Sequence, residues 1–276
     1  MQKDLWLECK MPNPEEKVAL ITGGSSGIGL DAAKRLSKMG YQVIISGRSL
    51  SNLEIAKKEF PDPVRQPLLI PADVSDEQQV KGLVEKTIEN FGKVDLVFAA
   101  AGISMRAPFV DSKIDAIENL MRVNFFGVLY LIHHVLPWLK KTRGSFVAMS
   151  SLTGKRGVPE YSIYGASKFA LQGLLDSIRI EVERDGVHIG VISTGFVDTP
   201  LRNRILGGDG KILENPPPLP FKLWPLEKCM EIVMQVILKR QRDAIFPRFI
   251  RPLLGFDPIN HGKMGDRYLK RKFGYQ

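Results

Sequence analysis

"KVALITGGSSGIG", residues 17–29, decides the fold of this chain. Lys17 to Thr22 have the apolar, β-branched character of a buried strand, and from Gly27 onward the residues take up a helical period. Between them, Gly23, Gly27 and Gly29 remove side chains where backbone must come close to an anionic ligand and where helix packs against strand. The helix N-terminus adds free N–H groups and a partial positive charge. An isolated glycine-rich turn would mean only a tight turn; between a first strand and a first helix it indicates phosphate binding.

Working outward, the same alternation repeats. "YQVIIS" (41–46), "PLLIPA" (67–72), "VDLVFAA" (94–100), "GSFVAMS" (144–150), "VHIGVIS" (187–193) and "DAIFP" (243–247) join "KVALIT" as strand candidates. Helix-length segments such as 27–39, 51–60, 76–91 and 161–184 lie between them. Nearly continuous apolar strands separated by helices predict a parallel sheet covered on both faces. The expected fold is therefore α/β, a Rossmann-type doubly wound sheet of about seven strands in a single domain, with its ligand crevice at the carboxyl ends of the strands. The expected divisions are an N-terminal extension (1–16), a dinucleotide-binding catalytic domain (17–247) and a basic C-terminal tail (248–276). Residues 199–224, which include "NPPPLP" (215–220), show little periodicity and read as a lid.

Composition narrows the function classes. The 276 residues, 44% hydrophobic and 25% charged, suffice to bury a full core. Cys9 and Cys229 fit neither a disulfide framework nor a thiolate metal site, so a reducing, cytoplasmic setting is expected. The longest apolar runs are interrupted before reaching the ~20 residues needed to cross a bilayer, and the first residues lack a signal-peptide core. His133 and His134 sit in an apolar helical segment with no Asp, Glu or Cys cluster, so no metal is expected. Ten Lys and Arg from Lys239 onward against three Asp supply +7 of the net +9. The body is thus nearly neutral, which argues against nucleic acid as a partner. The basic end reads either as solvated or as a peripheral contact with an anionic membrane surface, since Phe246, Phe249, Ile250, Leu253, Leu254 and Phe256 lie among its charges.

"SIYGASKFA" (162–170) carries the chemistry. Tyr164 and Lys168 lie four apart on a helix and share a face, with only Gly165, Ala166 and Ser167 between them. A free phenol titrates near 10, too high for easy proton exchange at neutrality. A neighbouring ammonium, together with a positively charged ligand, would favour the phenolate. Taken alone the pair could equally be an ordinary amphipathic helix with an exposed lysine. Ser151, thirteen residues earlier at the end of the fifth strand candidate, and Asn124 in "MRVNFFG" complete a set.

Gly-x-x-x-Gly-x-Gly, Asn124, Ser151, Tyr164 and Lys168 in this order and spacing resemble the short-chain dehydrogenase/reductase family, from about residue 15 to 245. The resemblance implies that Tyr164 is the general acid/base, Ser151 holds the substrate carbonyl, Lys168 binds the nicotinamide ribose and tunes Tyr164, and Asn124 holds a relay water. It also places Gly23, Ser25, Ser26, Gly27, Ile28, Gly29, Arg48, Asp73, Val74, Gly102, Tyr164, Lys168 and Thr199 at the cofactor, with Asp73 at the adenine and Thr199 at the carboxamide. In "SGRS", Gly47 stands where an NAD-preferring member would carry Asp, and Arg48 follows; a guanidinium binds a 2′-phosphate that a carboxylate would repel. NADP(H) is therefore favoured over NAD. A helix cap from Ser75 or Asp76 explains the local residues around Asp73 equally well.

The substrate pocket is expected around Ile103, Met105, Ser151, Leu152, Val158, Tyr161, Tyr164 and Phe196, mostly apolar. "SSLTGKRGVPEYSIYGASKFAL" with "STGFVDTPL" looks closest to members acting on steroids, sphingoid ketones or related lipids. Two stretches depart from the family pattern: "AAAG" (99–102) lacks an Asn expected to brace the neighbouring strand, and "STG" (193–195) has Thr194 for the usual Pro, which predicts a looser loop. The stripe Leu171, Leu175, Ile178 and Val182 reads as core or subunit interface, and the resemblance implies a homodimer or homotetramer. The expected function is hydride transfer between NADP(H) and a hydrophobic ketone or secondary alcohol. The alternatives are a non-catalytic dinucleotide-binding redox sensor and a membrane-surface adaptor working through the basic tail.

Overall fold

Runs such as Val18–Thr22, apolar at every position, need cover on both sides, and the sheet has it. The computed structural model describes residues 17–60, 62–63, 65–219, 221–256 and 262–275. Strands and helices follow in the order β1 (Val18–Thr22), α1 (Gly27–Lys38), β2 (Gln42–Gly47), α2 (Leu50–Lys57), β3 (Leu68–Pro71), α3 (Glu77–Phe91), β4 (Leu96–Ala99), α4 (Ile114–Met121), α5 (Gly127–Thr142), β5 (Ser145–Ser151), α6 (Ser162–Glu181), β6 (His188–Thr194), α7 (Leu226–Lys239), β7 (Asp243–Phe246), α8 (Ile250–Phe256) and α9 (Lys263–Phe273). All seven strand candidates are strands, with ends shifted by one or two residues. The sheet is parallel throughout, in the order β3-β2-β1-β4-β5-β6-β7. Strand order reverses between β1 and β4, where a doubly wound sheet opens its crevice.

Alternate residues of each strand enter opposite cores. Leu20, Val97 and Phe146 face a cluster with α3, α5 and α6 through Leu83, Leu131 and Leu171. Ile21, Phe98 and Val147 face the other, with α1, α2 and α7 through Leu36, Leu53 and Val233. All twelve are at most 1% exposed, and each large aliphatic or aromatic side chain so buried contributes about 2 kcal/mol. The stripe on α6 is core: Leu171, Leu175 and Val182 are buried and Ile178 packs against them. Phe169 and Ile180 are the exposed large apolar residues of that helix.

A continuous helix runs from Ile114 to Thr142, interrupted by one π turn at Arg122–Phe126. By length and composition it could cross a membrane, yet Leu131, Ile132, Val135 and Leu139 pack on the sheet, as a core helix does. The ends of α1 and α3 differ in a way that bears on function. Asp76 caps α3 by accepting from Gln79 N–H, and Gly92 closes it in the left-handed region at φ 70°, as expected for such signals. Ser26 precedes α1 without a side-chain cap bond, so its first N–H groups stay open to a ligand.

The turn after β1 is shaped by contact. A Cβ on Gly29 would lie 2.3 Å from the Gly23 carbonyl oxygen, and one on Gly23, at φ +68°, 2.7 Å from Ala101 N. Gly29→Ala must push backbone against backbone and should lower stability by about 2 kcal/mol, read as a lower urea midpoint. Gly82→Ala, inside α3 where nothing lies within 4 Å, should raise it by about 0.5–1 kcal/mol.

Candidate active site

β5 and β6 end side by side, Ser151 paired with Thr194, and α6 begins eleven residues after Ser151. The intervening turn folds back onto α6. Gly154 lies so close to Lys168 that a Cβ would meet the Lys168 Cβ at 2.8 Å, and Gly165 sits 3.1 Å, on the same measure, from the Thr153 carbonyl oxygen. This contact accounts for the small residues between Tyr164 and Lys168: a larger side chain would force the helix off the strand end. Ser167 Oγ donates to the Tyr164 carbonyl at 2.7 Å and accepts from Asn124 Nδ2 at 3.3 Å.

Tyr164 and Lys168 share one face, Lys168 Nζ lying 5.8 Å from the phenol ring centroid and donating to the Met149 carbonyl at 3.0 Å. Thr153 N–H donates to Ser151 Oγ at 3.2 Å, and the Ser151 hydroxyl lies near enough to the Tyr164 phenol to favour its phenolate. Burial controls the charges here. It pushes the phenol up to about 12 against the pull of Ser151, and it lowers the Lys168 ammonium to about 8. In the protein alone, then, desolvation outweighs the stabilisation that sequence reasoning assigns to Lys168. Between pH 8 and 12 the lysine is neutral before the phenol ionises, so it cannot hold a phenolate by charge.

Asn124 lies in the π turn, fully buried. Its Oδ1 accepts from Ile103 N–H and its Nδ2 donates to the Ile103 carbonyl, both at 2.9 Å. With Ser167 also bonded, the amide is occupied in clamping the loop after β4, and the water-holding expected of Asn124 has to compete with these bonds. Gly102 abuts this clamp, 3.1 Å from Asn124 Oδ1 and 3.8 Å from Lys168 Nζ measured from an added Cβ.

Several of the residues assigned to a dinucleotide gather around the open N-terminus of α1. Ser25 lies beside Gly47, and Gly27, at φ +55°, faces Thr199. Ser26 leaves the α1 N-terminus open; Ile28 and Thr199 line the cavity described below. Arg48 is exposed just beyond β2. Asp73 accepts from Ser75 N–H and Oγ at 2.9 and 2.7 Å, so it shapes the turn into α3, while Val74 is buried against Gly127. The missing Asn of "AAAG" coincides with the close approach of Ala101 to Gly23. Thr194 does not loosen its loop: it extends β6, paired to both Ser151 and Phe246, because a threonine supplies the N–H that proline lacks.

A cavity of about 710 Å³ opens beside Tyr164, and Ser151, Leu152, Val158, Tyr161 and Phe196 line it. Ile103 and Met105 do not; they pack with Ala116, Leu120 and Leu206 in a small cluster against which Tyr164 also packs, and Ser104 lines the cavity in their place. Sequence reasoning missed the far wall. Phe221 and Trp224, then Ile250 and Leu254 of α8 and Tyr268 and Leu269 of α9 enclose it, so part of the segment read as a charged tail packs over the cavity, while Phe249 stays exposed and the side chains of Leu253 and Phe256 lie outside the described residues. The signal lay in that apolar content, which needs a surface to cover. Arg106, also missed, is 9% exposed and ties the enclosure together: it bonds Glu160 at 2.6 Å and the Pro217 and Pro218 carbonyls at 2.8 and 3.1 Å, with its guanidinium over the rings of Tyr161 and Phe273.

Other candidates take structural roles. His134 lies 3.4 Å from Glu77, His133 is exposed, and among the described residues no cluster able to hold a metal occurs. Cys229 is buried, and burial pushes its thiol up to about 12, which leaves it unreactive.

The depressed Lys168 makes stability depend on pH. The folded protein sheds this proton near pH 8, the unfolded chain near 10.5, so between these values the unfolded chain binds more protons and stability rises with pH. Below pH 8 the cost of the buried charge is fully present. Urea titrations of wild type against Lys168→Met should show wild type gaining about 2 kcal/mol on the variant between pH 7.5 and about 9.5; parallel curves would contradict the burial of this charge.

Comparison with known proteins agrees with this architecture. The short chain dehydrogenase family model matches residues 17–208. A "Dehydrogenase/reductase SDR family protein 7-like" of Anopheles gambiae is 35% identical over 70% of this chain and 63% of its own length; one of Drosophila melanogaster is 32% identical over 83% and 72%. The chain thus spans about two thirds of these relatives. Among solved structures, an alcohol dehydrogenase from Thermococcus sibiricus complexed with 5-hydroxy-NADP has a TM-score of 0.71 at 27% identity, covering 83% of this chain and 94% of its own. A short chain dehydrogenase/reductase from Burkholderia phymatum in complex with NAD has 0.78 at 20% identity, covering 91% and 95%, which shows the shared fold. With its seven-stranded parallel sheet, its glycine cradle and this match over most of its length, the chain belongs to the short-chain dehydrogenase/reductase family of oxidoreductases.

Proposed function

We propose that this oxidoreductase uses NADP(H) to interconvert a hydrophobic ketone and its secondary alcohol, with Tyr164 as the general acid/base. The observation that carries the reading is the joining of cradle and cavity: Ile28 and Thr199 line the same apolar space as Ser151 and Tyr164. The dinucleotide, when bound, supplies or accepts the hydride. In reduction the Tyr164 hydroxyl donates its proton to the oxygen that becomes the alcohol, while the Ser151 hydroxyl hydrogen-bonds that same oxygen and fixes its position. Lys168, anchored on the Met149 carbonyl, brings positive charge beside the phenol below pH 8. The apolar walls exclude water, so each of these interactions acts at low dielectric. An exposed Arg48 after a Gly47 without a carboxylate supports NADP(H) over NAD(H), and the Thermococcus relative holds an NADP derivative.

With NADPH and a panel of lipid, steroid and small aromatic ketones, turnover is expected on apolar members; activity confined to hydrophilic sugars would remove the apolar-pocket reading. Tyr164→Phe should lower kcat by about 10²–10⁴-fold while NADPH affinity changes less than threefold; intact turnover would assign the proton to another group. Gly47→Asp has room, since an added Cβ meets nothing closer than 3.5 Å. It should shift the NADPH/NADH ratio of kcat/KM toward NADH by at least tenfold.

A further inference from the structure

The cavity is apolar in its walls but one-sided in its charges. Four cationic side chains line it, Arg156, Arg202, Lys222 and Lys272, and no Asp or Glu does so among the described residues. Arg156 is bonded to Asp266 and the Gly262 carbonyl and so holds α9 in place. Among the described residues Lys222 and Lys272 have no carboxylate partner; each stands over a ring of the cavity wall instead, 4.6 Å from the Trp224 centroid and 5.9 Å from that of Tyr268. Both are exposed, at the outer wall.

An unbroken aromatic path leads from the candidate chemistry to Tyr268, the ring beneath Lys272. Tyr164, Tyr161, Phe196, Phe221 and Tyr268 follow one another in steps of 6.4, 5.8, 5.6 and 6.4 Å between ring centroids. A ligand lying along this path has its reacting carbon at one end beside Tyr164 and its far end at Lys272, on the outer wall that Lys222 also lines. A neutral chain would gain nothing from those ammonium groups. An anionic oxygen group there would meet Lys272, with Lys222 on the same outer wall, and because both ammonium groups are exposed the attraction weakens with salt.

Resting on the reading of the cavity as a substrate site, we propose that the substrate is an elongated single-chain amphipath, its carbonyl or hydroxyl at Tyr164 and a carboxylate or phosphate at the outer wall lined by Lys272 and Lys222. Dodecanoate, dodecyl phosphate and methyl dodecanoate, titrated calorimetrically into the full chain saturated with NADP, separate the terms. Both anions should bind at least tenfold tighter than the ester at low salt, the preference of carboxylate over phosphate or the reverse naming the head group. In Lys222→Met/Lys272→Met the advantage should fall below threefold, and 0.5 M salt should shrink it in the wild type. Thermal unfolding and NADP affinity serve as controls for folding. Equal binding of ester and anions, or an anion advantage unchanged in the double variant, would overturn the proposal while leaving the apolar site intact. If none of the three binds although NADP does, the substrate-site reading falls with it.

Discussion

The contact on which the rest depends is backbone against backbone at the switch point of the sheet. The turn after β1 approaches the turn after β4 so closely that Gly23 has no room for a side chain, and the Gly23 carbonyl in turn leaves none for Gly29. This approach closes the two halves of the sheet, leaves the N-terminus of α1 open, and sets the floor of the crevice. The loop after β4 is then clamped by Asn124, and the same π turn reaches Ser167 on α6. One chain of contacts thus runs from the phosphate cradle to the helix carrying Tyr164 and Lys168.

Packing that tight has an electrostatic consequence. Removing Tyr164 and Lys168 from water raises the phenol to about 12 and lowers the ammonium to about 8, so both groups are driven toward neutrality. The protein alone therefore holds a proton donor that is reluctant to ionise. A buried lysine is a costly feature to retain for stability, and its position beside a desolvated phenol that lines a large cavity marks a candidate functional site. Arg106 and Arg156 do the complementary work of holding the walls.

Much of this was legible in the sequence because local rules and long-range packing agree. Each strand is apolar at successive positions since both faces are covered, and Gly23, Gly27 and Gly29 announce the cradle by what they omit. Ser151, Tyr164 and Lys168 could be read because helical spacing and the strand end place them without knowledge of distant contacts. The far wall could not. Phe221, Ile250, Leu254, Tyr268 and Leu269 come from segments whose partner is a cavity formed by other elements, and basic residues between them suggested a solvated end. Ile103 and Met105 fall short of the cavity for the converse reason: their neighbour Ser104 lines it, but the loop turns them into the cluster with α4 that Tyr164 backs onto. The balance of the phenol and ammonium charges depends on burial depth, which no spacing reveals.

The central claim is that Tyr164 becomes an exchangeable proton donor near neutrality because positive charge is brought to a site where burial otherwise keeps the phenol intact. Ultraviolet titration of phenolate, taken as the difference between wild type and Tyr164→Phe, measures this directly. The account predicts no Tyr164 signal below pH 10 in the protein alone, and a signal rising between about pH 7 and 9 once oxidised NADP saturates the site. A difference spectrum that stays flat below pH 10 with the dinucleotide demonstrably bound would contradict it.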